Sequence, residues 1–73
     1  MNAWDKLTVQ QRFDVLAYHH PFDARLNCAA FLSAARKAWA ELTEHEQERW
    51  GSWAQAALDG QYTDIWGVSI LAR

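Results

Sequence analysis

Two segments of the chain carry the same helix-start signal, 35 positions apart. In each segment a threonine is followed three residues later by Gln or Glu, the capping-box pattern that satisfies free N–H groups at a helix N-terminus. A tryptophan and a leucine precede each threonine at the same spacing, in Trp4-x-x-Leu7-Thr8 and in Trp39-x-x-Leu42-Thr43. We therefore predict two helix corners, where the tryptophan and the leucine are buried beneath the turn and the threonine begins the next helix.

The period and the Trp-x-x-Leu start resemble the tetratricopeptide repeat. That family has glycine where Thr8 and Thr43 stand, and its later small and aromatic positions fall here on His20, Ala24 and Asn27. A threonine in that place caps a new helix instead of continuing the previous one. We interpret both segments as a structural device and not as units of a repeat protein.

The hydrophobic residues favour helix over strand. The chain has 73 residues, enough for one domain, and contains thirteen alanines but only five valines and isoleucines together. We predict an all-α fold, a small three-helix bundle in a single domain over residues 1–73. The helices are expected at about 8–19, 23–41 and 44–59, because Pro21 ends the first, Asp23 can cap the second and Gly60 can stop the third.

The C-terminal element, residues 62–72, fits more than one structure. Hydrophobic residues from Tyr62 to Ile70 alternate with more polar ones, which gives a partial period of two. Three alternatives follow from this pattern. The element is a short fourth helix capped by Thr63 or Asp64, an extended arm packed on the bundle, or a strand that pairs with another chain.

Hydropathy and cysteine content exclude several classes of protein. Cys28 is the single cysteine and cannot form an internal disulfide, which fits a reducing compartment. Residues 1–20 have no secretory signal. The most apolar stretch, residues 24–40, contains three basic residues and does not have the character of a membrane span. We expect a cytoplasmic protein that does not enter the membrane.

The charges are distributed unevenly along the chain, although the net charge is only −2. Residues 1–40 carry a net +2 and residues 41–73 a net −4, to which Glu41, Glu44, Glu46 and Glu48 contribute. We interpret these glutamates as a solvated face near a helix N-terminus, where acidic groups interact favourably with the helix dipole. A contact patch for a basic partner is the alternative.

Residues 39–62 resemble the second half of an HMG box, through Trp39, Leu42, Thr43, Glu46, Trp50, Ala54 and Tyr62. The resemblance implies a helical protein that binds nucleic acid. The basic N-terminal arm of that family is missing, and the glutamates lie where phosphate would repel them. Neither half of the chain has the basic stripe of a nucleic-acid binder. Nucleic-acid binding is therefore an alternative and not the main hypothesis.

The sequence offers no recognisable catalytic or metal-binding arrangement. His19 and His20 are adjacent and point about 100° apart on a helix, and the spacings typical of zinc sites are absent. His45 falls at a solvent position, and Cys28 lies on the apolar stripe of the second predicted helix, where it is expected in the core. We predict no enzyme activity, no cofactor and no metal.

Five tryptophans are more than a core of this size needs. Trp39 and Trp50 are central on their apolar stripes and are the predicted core pair. Because interface hot spots are enriched in Trp, Tyr and Arg, the candidate partner-binding residues are Trp53, Trp66, Tyr18 and Arg36. They predict a protein-binding accessory factor or inhibitor that docks on a larger macromolecular machine. By analogy with other small chains, it would be a phage- or plasmid-type regulator of host transcription or defence.

Two other hypotheses stay open. One is a structural homodimer. The other is that all five tryptophans only fill the core and the edges of a small domain.

Overall fold

In the computed structural model, which describes residues 1–63, 66–69 and 71, the chain folds as a small all-α bundle. The helices are α1 Ala3–Lys6, α2 Val9–His19, α3 Pro21–Leu26, α4 Cys28–Ala35 and α5 Glu44–Leu58, with a 3-10 helix, Trp39–Glu41, before α5. Helix α2 packs against α3, α4 and α5, while α1 packs against α5. The predicted all-α class is confirmed.

Both predicted helix corners are present, with the expected caps. The Thr8 hydroxyl accepts a hydrogen bond from the Gln11 N–H at 3.1 Å, and the Gln11 side chain accepts one from the Thr8 N–H at 2.9 Å. Thr43 and Glu46 repeat this arrangement at the same distances. The reciprocal bonds explain why α2 and α5 begin where the sequence predicted. Both preceding leucines are buried.

The ends of α2 and α5 also agree with the prediction. His20 caps α2 immediately before Pro21, and Asp59 caps α5. Gly60 has a φ of +78°, in the left-handed region that glycine enters without steric cost. This conformation turns the chain away from the axis of α5.

The predicted second helix, 23–41, is wrong in its bounds because the segment forms three elements. Helix α3 begins at Pro21, since proline is well suited to the first helical position. Asn27 then leaves the helical region, with φ −138° and ψ 56°, and separates α3 from α4. Asparagine favours such interruptions because its amide side chain competes for backbone hydrogen bonds.

Helix α4 ends at Ala35, where side chains from other elements donate hydrogen bonds to the carbonyl groups of Ala35 and Lys37. Arg12 Nη1 donates to the Ala35 carbonyl at 3.1 Å, and Trp4 Nε1 donates to the Lys37 carbonyl at 2.9 Å. These bonds satisfy acceptors that a longer helix would have paired internally. The alanine-rich composition of the segment gave no sign of this stop.

The hydrophobic core differs from the predicted one in its central tryptophan. Trp4 is fully buried, and its ring centroid lies 5.5 Å from that of Trp50. Trp39 and Trp50 are only partly buried and pack against the core, so the predicted Trp39–Trp50 core pair is wrong. The buried cluster consists of Trp4, Leu7, Val15, Leu16, Leu42, Ala54, Ala57 and Tyr62.

Cys28 is exposed, contrary to the prediction that it lies in the core. The break at Asn27 makes Cys28 the first residue of α4 instead of an interior position of a long helix. The apolar stripe on which the prediction depended is therefore not continuous.

The described part of the C-terminal element forms an arm with a turn. Thr63 and Ser69 make an isolated antiparallel bridge, with a turn at Trp66 and Gly67 between them. Residues 63 and 66–69 are not helical, so this described part does not form the predicted short fourth helix. The parts of the predicted element at 64, 65, 70 and 72 lie outside the described residues, and strand pairing with another chain stays a prediction.

Candidate functional site

Aromatic rings converge where α2 ends. The imidazole of His19 stacks on the indole of Trp53, with ring centroids 3.8 Å apart and planes inclined by 12°. His19 Nε2 is also hydrogen-bonded to the hydroxyl of Tyr62. The His20 ring lies 6.2 Å from that of Trp53. Three elements, α2, α5 and the C-terminal arm, therefore meet at His19.

The C-terminal arm contributes Tyr62 to this group of rings. Tyr62 is buried, and its ring centroid lies 4.6 Å from that of Tyr18 and 5.4 Å from that of His19. The turn at Gly60 allows Tyr62 to return to α2 directly after α5 ends. We call Tyr18, His19, His20, Trp53 and Tyr62 the aromatic cluster.

The electrostatics of the aromatic cluster favour the neutral forms of His19 and Tyr62. Burial lowers the pKa of His19, and the neighbouring His20 and Arg49 lower it further. Burial also raises the pKa of Tyr62, with a smaller contribution from Tyr18. The Arg49 guanidinium lies 5.3 Å from the centre of the Trp53 ring, in cation–π contact. A protonated Tyr62 hydroxyl beside a neutral imidazole suits the hydrogen bond that joins them.

The predicted partner-binding residues are distributed over two places. Tyr18 and Trp53 both contact His19, with Tyr18 half exposed and Trp53 partly buried. Trp66 is 81% exposed. It follows Tyr62 by four residues, so their Cα atoms are at most about 14 Å apart. The structure thus places Tyr18 and Trp53 in the aromatic cluster, and Trp66 follows Tyr62 by four residues along the chain.

Arg36 lies at the other end of α2. It is the exposed C-cap of α4, directly after Ala35, whose carbonyl accepts a hydrogen bond from Arg12. Arg12 and Tyr18 are six residues apart, about 9 Å along a helix axis. Arg36 therefore belongs to a different part of the surface.

Sequence reasoning missed the roles of His19 and Tyr62. The sequence suggests a role for His19 only as a metal ligand, and for Tyr62 only in the HMG-box resemblance and in the C-terminal element. The available signal was the run Tyr18-His19-His20 before Pro21, which gathers three rings at one helix end. Their contacts with α5 and with the arm have no signature in the local sequence.

Two depressions in the surface adjoin α2. One is broad and shallow and is lined by Phe13, Ala17, Pro21, Ala24, Arg25 and Cys28. The other is a cleft of about 180 Å³, lined by Leu16, His20, Ala30, Phe31, Ala34 and Trp50. His20 belongs both to the cleft and to the aromatic cluster.

Within the described residues, no three or more His, Cys, Asp and Glu side chains are grouped so that they could hold a metal ion. In the same part of the chain, no helix has the length and apolar character needed to cross a membrane. The chemistry that the site offers is ring stacking, hydrogen bonding and contact with apolar groups.

Comparison with known proteins gives no relative. No protein-family model, curated protein or solved structure matches the chain.

Proposed function

We propose that the chain is a small non-enzymatic protein that binds another protein through exposed aromatic side chains beside the aromatic cluster. The observation that carries this proposal is the 81% exposure of Trp66. An indole buries a large apolar area when a partner covers it, and tryptophan is the residue type most enriched at interface hot spots.

Other exposed rings lie close along the chain to the same end of α2. Tyr18 is 51% exposed and Phe22 is 71% exposed. Phe22 lies four residues after Tyr18 along the chain, in α3. We propose that Tyr18, Phe22 and Trp66 contribute to one contact with the partner, and we call these three residues the aromatic surface. Large exposed apolar groups that occur together are typical of protein-interaction sites.

The aromatic cluster holds one member of this surface, Tyr18. The Tyr18 ring packs on the Tyr62 ring. The Tyr62 hydroxyl is hydrogen-bonded to His19, and the His19 ring stacks on Trp53. A side chain that is held in one orientation before binding loses less entropy when the partner arrives. Trp53 therefore acts in the proposal as a support, and Arg36 lies outside the aromatic surface.

The partner in this proposal is a component of a larger macromolecular machine, which the chain assists or inhibits. A phage- or plasmid-type regulator of host transcription or defence is the class that suits so small a chain, by analogy only. The proposed location is the cytoplasm, where a reducing environment would keep the exposed Cys28 as a thiol.

A capture experiment tests the proposal. The native protein, Trp66→Ala and Tyr18→Ala are immobilised and exposed to lysate of the source cell. Val9→Ala is the matched control, because Val9 is 37% exposed at the opposite end of α2. We expect the native protein and the control to retain the same protein partner. Trp66→Ala should bind it roughly 30-fold more weakly, since a hot spot contributes about 2 kcal/mol or more.

Three results would contradict the proposal. Equal retention by all four proteins would show that the aromatic surface is not the contact. Capture that is abolished by nuclease and falls steeply with salt would indicate nucleic-acid binding instead. A mass that doubles with concentration, and returns to the monomer value in Trp66→Ala, would assign the surface to a homodimer.

A further inference from the structure

The cleft beside α2 is built from three helices and has an almost entirely apolar lining. Its lining includes Leu16 on α2, which is buried. Phe31 on α4 and Trp50 on α5 also line it, and α4 and α5 both pack on α2. His20, which caps the C-terminus of α2, belongs to the lining as well. Clefts between the helices of a bundle are common places for small ligands.

Two alanines keep the cleft open on the α4 side. Ala30 and Ala34 are four residues apart, so they lie on the same face of α4, next to Phe31. A leucine at either position would add a larger side chain to the lining and reduce the volume of the cleft. The volume of the native cleft, about 180 Å³, is too small for a helix of a partner protein. An apolar cavity of about 150 Å³ is known to accommodate benzene, so the cleft is of the right size for one aromatic ring or a fused pair.

The lining restricts the chemistry of a ligand. Ring faces and edges of Phe31 and Trp50 favour another aromatic ring, through stacked or edge-to-face contacts. His20 supplies a polar group to the lining, and within the described residues no hydrogen bond engages its ring nitrogens. A ligand with a single hydroxyl or ring N–H group can bond to His20 while its apolar body occupies the cleft.

We infer that the cleft is a binding site for a small planar aromatic molecule with one hydrogen-bonding group, of the phenol or indole class. This site is separate from the aromatic surface and goes beyond the proposed function. Charged molecules are disfavoured, since the lining side chains other than His20 carry no ionisable group that could offset the desolvation of a charge.

Titration with phenol tests the inference directly. In a ¹H–¹⁵N spectrum each tryptophan gives its own indole N–H signal, so the position of the ligand can be followed. Phenol should shift the Trp50 signal saturably, with a Kd on the order of 1 mM. Cyclohexanol, which has a similar size and a hydroxyl but no aromatic ring, should bind several-fold more weakly. The absence of a saturable Trp50 shift, or equal binding of cyclohexanol, would overturn the inference.

Substitutions on α4 provide a matched pair. Ala30→Leu should weaken phenol binding about tenfold or more, because the added side chain fills the cleft. Ala29→Leu introduces the same group at the adjacent exposed position, outside the lining, and should leave the Kd within twofold. Unchanged binding to Ala30→Leu would show that phenol lies elsewhere.

His20→Phe tests the hydrogen bond between the ligand and His20. This test does not depend on whether Ala30→Leu folds. The variant should bind phenol several-fold more weakly and toluene with unchanged affinity, since only phenol has a hydroxyl that can bond to His20. An equal effect on the two ligands, or none on phenol, would contradict the predicted hydrogen bond.

Discussion

The two helix corners share a sequence pattern but differ in burial. At the first corner, Trp4 lies in the α-helix α1, is fully buried and packs on Trp50. At the second, Trp39 lies in a 3-10 helix and is only partly buried. Its ring approaches Gly51 so closely that a Cβ there would lie 2.7 Å from the ring.

The polar contacts of the corners show where the difference originates. In each, the residue eight positions after the tryptophan donates to the tryptophan carbonyl at 2.9 Å, from Arg12 to Trp4 and from Gln47 to Trp39. Arg12 also donates to the Ala35 and Lys37 carbonyls and lies 5.1 Å from the Trp4 ring centre. The first corner is thus joined to the end of α4. Local sequence builds the same turn twice, and contacts with distant elements decide its burial.

Replacement of the two tryptophans should give the largest difference. Trp4→Ala is expected to reduce the free energy of unfolding by about 3–5 kcal/mol, the cost of removing a fully buried aromatic side chain. Trp39→Ala should cost about half as much, because its ring is partly in solvent. Urea unfolding followed by circular dichroism at 222 nm measures both. Equal losses would show that the corners do not differ energetically.

Replacement of the polar partners should give the next largest effect. Arg12→Met is expected to cost about 2–3 kcal/mol, since it removes charge-assisted hydrogen bonds to three carbonyl groups in a partly buried place. Gln47→Met removes one neutral hydrogen bond and should cost about 1 kcal/mol. Methionine keeps an apolar stem in both variants. If Gln47→Met were the more damaging, the second corner would be the one that depends on its polar contact.

Gly51→Ala tests how firmly the second corner holds Trp39. Alanine in a helix is intrinsically more stable than glycine by about 1 kcal/mol. The close approach of the new Cβ to the Trp39 ring should outweigh this gain, so that the free energy of unfolding falls by about 1 kcal/mol. Ser52→Ala, at the adjacent exposed position of α5, is the control and should change stability by less than about 0.5 kcal/mol. A net gain in Gly51→Ala would mean that Trp39 moves aside easily.

The threonine caps should show where the corners are equal. Thr8→Ala and Thr43→Ala each remove the same cap and are expected to cost about 1 kcal/mol. Their unfolding free energies should agree within about 0.5 kcal/mol, because the capping geometry is the same. A clear difference would show that burial around the corner also affects the cap.

Acid should destabilise the aromatic cluster. The difference in unfolding free energy between variants of the two corners should stay unchanged. The pKa of His19 is lowered in the folded state, mainly by burial, so the unfolded chain binds a proton more readily. Stability is therefore expected to fall as the pH drops through about 6.5 and to level off below the folded pKa. Comparison of urea midpoints at several pH values, for the native protein and His19→Phe, isolates this contribution. A native curve parallel to that of His19→Phe would contradict it.

Parts of the fold that depend on neighbouring residues could be predicted from the sequence. The caps at Thr8 and Thr43, the end of α2 before Pro21 and the stop at Gly60 follow from residues within one turn. The division of the predicted helix 23–41 could not be predicted in this way. The side chains of Trp4 and Arg12, more than 20 residues away in the sequence, donate hydrogen bonds to carbonyl groups at the end of α4.

The candidate site was only partly predictable for the same reason. The excess of tryptophan and the enrichment of Trp and Tyr at interface hot spots suggested Tyr18, Trp53 and Trp66. The structure places Tyr18 and Trp53 at the end of α2, each in contact with His19, and leaves Trp66 81% exposed. Composition could not show that His19 stands between Tyr18 and Trp53. That arrangement depends on α5 and the arm reaching α2.

The sequence by itself determined where the helices α2 and α5 begin and end, because capping, proline and glycine act through hydrogen bonds and sterics within a few residues. Only the tertiary structure decided which tryptophan is fully buried, why the alanine-rich segment is divided, and that Tyr62 returns to His19. Burial and stacking depend on residues that are distant along the chain, and the packing of a small core allows one ring to occupy its centre while others stay at its edge.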